Sequence, residues 1–182
     1  MEIWQEIIKD RDRGTRALVT VYQNRLFTVA MFLCRDRVAA EDLVSRTFTH
    51  AVAKISSFRP NTNFYNWLYT ILINFHRMDV RKAKNDILVL TEQPPDTPID
   101  ETPFTALAAK SDHAAIRAAV AELSEPLKEV VILRYFESFP LNEIAATLSL
   151  PIGTVKSRLN YAKAILARRL AAELGKETDN GR

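Results

Sequence analysis

A chain of 182 residues has room for one domain or two small ones, and an apolar content of 47% excludes disorder along its whole length. Four glycines disfavour a turn-rich all-β fold and suit helices. The formal charge of +3 is too mild to define a nucleic-acid-binding protein by itself, so the information lies in where the bases sit.

The start, MEIWQEIIKDRDR, interleaves acids and bases and holds no apolar signal core. From Leu18 to Leu33 the apolar positions Leu18, Val21, Tyr22, Leu26, Val29, Ala30 and Leu33 recur at three- and four-residue steps, which predicts a helix with one buried face. Its end contains VAMFLC, the longest apolar run, far short of the about 20 residues that a bilayer span needs. The single cysteine, Cys34, excludes an internal disulfide framework and points to a reducing compartment. Together these predict a cytoplasmic protein without membrane insertion.

A second helix is predicted from about Val38 to Ile55, with Leu43, Val44, Phe48, Ala51, Val52 and Ile55 inward and Glu41, Asp42, Ser45, Arg46, Thr49 and His50 outward. SSFRPNTN breaks the pattern as a loop. A third helix follows to about Lys84. On it Phe64, Trp67, Leu68, Ile71, Phe75 and Met78 should pack inward, opposite Asn66, Thr70, Arg77, Arg81 and Lys84. From Asp86 to Ala109 there are four prolines, five acids and no base, the composition of an exposed linker. Shorter helices come next: one over about Asp112 to Glu122, one after Ser124 with Pro126 in its first turn, then LNEIAATLSL and a long final helix. The predicted architecture is all-α, with two small helical domains at 1–85 and 112–174, a flexible linker at 86–111 and a frayed tail at 175–182.

LNEIAATL, a short turn at SLPI and a longer helix have the spacing of a DNA-binding helix-turn-helix. On the last helix Val155, Leu159, Ala162, Leu166 and Leu170 line one face. Thr154, Ser157 and Tyr161 lie roughly opposite, flanked by Lys156, Arg158 and Asn160. Between Ile152 and Leu170 there are five bases and no acid, as a helix entering a major groove requires. Arg158 is the leading candidate for a guanine contact, and Lys156 for a phosphate.

LSEPLKEVVILRYFESFPLNEIAATLSLPIGTVKSRLNYAKAIL resembles region 4 of the extracytoplasmic function (ECF) sigma factors of bacterial RNA polymerase. AAEDLVSRTFTHAVAKISSFRPNTNFYNWLYTILINFHRMDVRK resembles region 2 of the same family, in the right order and separation. The resemblance implies a factor that joins core RNA polymerase, through the clamp helices of its largest subunit and its β flap, and directs it to promoter DNA. Glu41, Asp42, Ser45, Arg46 and Thr49 would dock on the polymerase. Phe58, Arg59, Asn61, Asn63 and Tyr65 would capture a flipped base of the −10 element, with Asn66, Thr70, Arg77, Arg81 and Lys84 on the backbone or displaced strand. Thr154, Lys156, Ser157, Arg158, Asn160, Tyr161 and Lys163 would grip the −35 duplex.

The resemblance further implies an anti-sigma factor as partner and a monomer when free. The chain departs from the family pattern at Ser45-Arg46, where Gln-Glu is frequent, at Pro140 in place of a Ser or Thr cap, at Ser149 in a turn position that is commonly Gly, and at Tyr161 in place of a frequent Arg. Two rival classes remain: a stand-alone helix-turn-helix regulator, which would need dimerisation for two half-sites, and a sigma mimic that sequesters an anti-sigma factor. No enzyme site or cofactor is predicted. His50, His76 and His113 lack metal-ligand spacing, and no Gly-rich phosphate loop is present.

Overall fold

The computed structural model describes residues 2–86 and 113–179, and the side chains of 2–83 and 115–171. The chain folds as two compact units, Met1–Thr91 and Glu92–Arg182. Both are helical, with no strand among the described residues. The expected linker falls outside those residues except for Asp86, and Lys84 is described in backbone only.

In the first unit, α1 (Ile3–Lys9) leads directly into α2 (Arg11–Cys34), and Asp10 joins them. Asp10 closes α1 through its N–H on the Glu6 carbonyl and caps α2 through Oδ1, which accepts from the Arg13 N–H at 3.0 Å. The two helices nearly touch at Gly14, where a Cβ would stand 2.4 Å from the Ile7 Cα. Arg13 and Glu6 close the corner with an ion pair at 2.8 Å. The apolar residues of this stretch, Ile3, Trp4, Ile7 and Ile8, pair at helical spacing, and Ile7 is buried.

Helix α3 (Arg37–Ala53) starts at the Asp36 cap and packs on α2; a 3₁₀ turn (Ile55–Ser57) follows, and α4 (Phe64–Asp86) packs on both. Leu18, Leu26, Val29, Ala30, Leu43, Phe48 and Ala51 are buried as predicted, but Val21 is exposed. The inward stripe of α4 runs through Tyr65, Leu68, Tyr69, Leu72 and His76, flanked by Phe64 and Ile71. Met78, expected inward, is 60% exposed. Two residues past His76 it is turned about 160° from the stripe's end. Among the described residues α2 alone is long and apolar enough to cross a membrane, but its apolar side is covered by α1, α3 and α4, as in a bundle core.

The second unit contains α5 (His113–Ala121), α6 (Glu125–Val131), a π-helical turn (Ile132–Phe136), α7 (Leu141–Leu148) and α8 (Ile152–Asp179). Ser124 sits at the N-cap of α6 with extended backbone, but its hydroxyl makes no cap bond, and Pro126 occupies the first turn. Pro140 likewise caps α7 without a side-chain bond. Helix α8 is the axis on which α5, α6 and α7 pack. Val155, Leu159, Ala162, Leu166 and Leu170 form its buried face, as the spacing predicts. The expected tail from 175 is helical as far as Asp179.

Candidate nucleic-acid interface

In the second unit α7 ends at Ser149 in the left-handed region (φ 55°), and only Leu150 and Pro151 separate it from α8. The Leu150 N–H donates to the Ala145 carbonyl at 2.9 Å and closes the turn. This tight corner fixes the direction in which α8 leaves. Across from its buried stripe, Gly153, Lys156, Ser157 and Asn160 form a continuous exposed arc at three- and four-residue steps, with Lys163 half-exposed on its edge. A Cβ on Gly153 would meet nothing within 4 Å, so the helix backbone itself is open to a groove there. Thr154, Arg158 and Tyr161 stand half-buried on the opposite flank. Arg158 therefore points about 160° away from Lys156 and off the centre of the arc. Arg169 is removed from the basic face: it pairs with Glu122 at 2.8 Å and donates to the Ala119 carbonyl, tying α8 to α5.

In the first unit the loop from Phe58 to Asn63 is held at both ends. Phe58 is buried among Trp4 of α1 (ring centroids 5.6 Å apart), Phe64 (5.1 Å) and Trp67 (5.4 Å). Asn63 Oδ1 accepts from the Tyr65 N–H at 2.9 Å and caps the start of α4. Between them Thr62 folds back on the Arg59 carbonyl with both its N–H (2.9 Å) and its hydroxyl (2.7 Å), closing a turn. Arg59, Pro60 and Asn61 are exposed on that turn.

Three of the residues expected to capture a base, Phe58, Tyr65 and Asn63, are engaged within the protein. The Phe58 ring is enclosed by other rings, so it anchors the loop and offers no face to a base. Tyr65 is buried too: it stacks on Tyr22 at 5.3 Å, donates its hydroxyl to Tyr69 at 2.8 Å, and carries the Arg25 guanidinium 3.9 Å over its ring. Asn63 is exposed, but its amide oxygen serves the helix cap. Burial holds the Tyr22 hydroxyl above the usual tyrosine range, helped by Glu2 and opposed by Arg25. On α4 the expected DNA-facing residues do share a face. Asn66, Thr70 and Arg77 are half-buried, Arg81 is exposed, and Thr70 donates to the Asn66 carbonyl at 2.9 Å.

On α3 the expected polymerase-facing residues Glu41, Asp42, Ser45 and Thr49 are exposed. Glu41, Ser45 and Thr49 form one wall of a groove of about 730 Å³ between α3 and α2, floored by Phe27 and Phe48. Arg46 differs from the rest of this set. It reaches across to α4 and grips both oxygens of Asp79, pairs with Asp42 at 2.8 Å, and lies 5.3 Å over Phe75. The hydrogen bond to Asp79 raises its pKa above even the ordinary arginine value. Its guanidinium is thus a tie between helices, which a sequence shows only when the two partners are known to face each other. Glu41 is paired with Arg37 at 2.9 Å on its own helix. No cluster of three metal-ligating side chains occurs among the described residues.

The helix-turn-helix and the bundle with its exposed loop define a sigma-70 type of transcription initiation factor. Residues 18–85 match the model of sigma-70 region 2 and residues 113–166 that of sigma-70 region 4. The chain is 32% identical to the ECF RNA polymerase sigma factor EcfG of Rhodopseudomonas palustris over 84% of this chain and 82% of that one. It is 26% identical to the RNA polymerase sigma-H factor of Pseudomonas aeruginosa over 91% and 93%. The sigma factor RpoE of Bartonella quintana, solved in complex with the anti-sigma factor NepR, superposes with a TM-score of 0.68 at 28% identity, covering 86% of this chain and 96% of that one. The chain belongs to the ECF family of RNA polymerase sigma factors: it binds core polymerase and directs promoter-specific initiation.

Proposed function

We propose a division of promoter reading between the two units. The exposed arc of α8, centred on Lys156, Ser157 and Asn160, enters the major groove of the −35 duplex, with Arg158, Tyr161, Thr154 and Lys163 on its flanks. The turn carrying Arg59 and Asn61 receives an extruded base of the −10 element, and the outer face of α4 with Arg77 and Arg81 follows the backbone. Extruding a base costs a few kcal/mol, which capture at a shaped site offsets. The single observation that carries this reading is the rigid turn itself: anchored at Phe58 and Asn63, it displays a guanidinium and an amide to solvent.

The exposed wall of α3, with Glu41, Asp42, Ser45 and Thr49 beside the groove to α2, docks on the clamp helices of core polymerase, as a helix fits an apolar-floored groove. The second unit meets the β flap. The protein acts in the cytoplasm as a non-catalytic monomer and is held in check by an anti-sigma factor, a partner class that the Bartonella quintana relative's complex supports.

The test is run-off transcription with purified core polymerase, on a promoter selected by the holoenzyme from randomised −35 and −10 DNA. Asn61→Ala and Arg59→Ala should lower transcription from the duplex promoter and spare a template already melted at −10. Equal loss on both templates would move the turn's role away from strand capture. Failure of the wild-type protein to program core on either template would overturn the reading.

A further inference from the structure

Helix α1 lies outside the residues matched as region 2, yet it is built onto the promoter-facing turn. Trp4 closes one side of the cage around Phe58, while Phe64 and Trp67 close the others. Phe58 is the residue immediately before Arg59, so its ring position sets where the turn begins. Helix α1 also packs against the 3₁₀ turn Ile55–Ser57 that delivers the chain to Phe58.

Everything at the root of α1 restricts its freedom. The Asp10 junction has no spare residue, Gly14 admits the α1 backbone to a distance that any side chain would forbid, Ile7 is buried, and Glu6 is tied to Arg13. At the free end the Glu2 N–H donates to Gln5 Oε1 at 3.2 Å as part of a capping box. A seven-residue helix is marginal in isolation and acquires a fixed position only through such contacts.

We infer that α1 is a positioning element for promoter recognition: Trp4, acting through Phe58, fixes the turn that presents Arg59 and Asn61 to the extruded base. This rests on the base-capture reading of that turn. Trp4 touches no DNA in this scheme. Its contribution is preorganisation, which lowers the ordering cost that the turn would otherwise incur on binding.

The experiment measures discrimination among the four bases at the captured −10 position, using holoenzyme assembled from the full chain and transcription from otherwise identical duplex promoters. A ratio of rates is independent of how much of the sample is active, so loss of folded protein alone does not move it. Trp4→Ala, and Trp4→Leu to keep the site apolar should the alanine variant fold poorly, are compared with Trp4→Phe and with Asn61→Ala.

Discrimination should fall about three- to tenfold in Trp4→Ala and Trp4→Leu, since even an ångström-scale misplacement can cost up to about a hundredfold. It should be retained in Trp4→Phe, while affinity for core polymerase stays unchanged in all. Unaltered discrimination in the alanine and leucine variants, with Asn61→Ala reducing it, overturns the role of α1 and leaves the turn's role standing. Unaltered discrimination in Asn61→Ala removes the base-capture reading and this inference with it.

Discussion

The two units solve different recognition problems with different interiors. Beneath the Phe58–Asn63 turn lie Trp4, Tyr22, Phe58, Phe64, Tyr65, Trp67 and Tyr69, with successive ring centroids 4.7 to 6.0 Å apart. The core of the second unit is aliphatic: Val120, Leu127, Val130, Leu133, Ile144, Leu148 and Leu166 are all buried, joined by Phe139. The Phe58–Asn63 turn has no ladder of backbone bonds to hold it. It takes its shape from large rigid rings with few rotamers to lose. A helix that reads duplex DNA is already rigid, and needs only a fixed exit angle and a packed back face.

Three substitutions bear on this contrast. The largest effect is expected for Leu166→Ala, at the centre of the aliphatic core, at about 2–5 kcal/mol. Both tryptophans, Trp4 and Trp67, lie in the first unit, so far-UV circular dichroism should show an early helical loss while tryptophan fluorescence keeps its wild-type transition. Coincident shifts of the two signals would break the comparison, because the interiors would then not be independent.

Gly14→Ala comes next. Its Cβ would meet backbone atoms of Glu6 and Ile7, which have no rotamer by which to retreat, so overpacking should cost about 1–3 kcal/mol. Here the fluorescence transition in urea should move to lower concentration; an unchanged midpoint would mean that α1 adds nothing to the aromatic base. The smallest effect has the opposite sign. Ser149 holds a left-handed conformation that costs an L-residue about 1–2 kcal/mol and glycine nothing. After the chain entropy that glycine adds, Ser149→Gly should therefore stabilise the second unit by up to about 1 kcal/mol. Destabilisation measured by circular dichroism in urea would contradict that geometry.

Much of the second unit was legible because its determinants are local. The stripe Val155, Leu159, Ala162, Leu166 and Leu170 and the break at Ser149-Leu150-Pro151 are written in consecutive residues. The site proposed to capture a base was legible in position, while the packing of its residues was not. Aromatic and amide residues in a polar loop have the chemistry of ligands, yet Phe58 and Tyr65 are covered by Trp4 and Tyr22, residues more than forty positions earlier. Helical spacing places a ring on a face and says nothing of what covers it. The tie made by Arg46 is hidden for the same reason, since its partner Asp79 lies on another helix. Helix α1 escapes notice because seven residues are too few for its four apolar side chains to show a sustained period, and because its seat depends on the missing side chain at Gly14.

The Asp10 junction makes the first unit intolerant in one respect. Surface connections usually absorb insertions, because added length costs little closure entropy. Here a single extra residue between Lys9 and Arg11 would turn α1 by about 100° about its own axis and carry it about 1.5 Å along. Trp4 would leave Phe58, and the residue that ends one helix would no longer be the cap that starts the next. Length at this point is therefore as strictly specified as composition is in a core: what is encoded in the first fourteen residues is a phase.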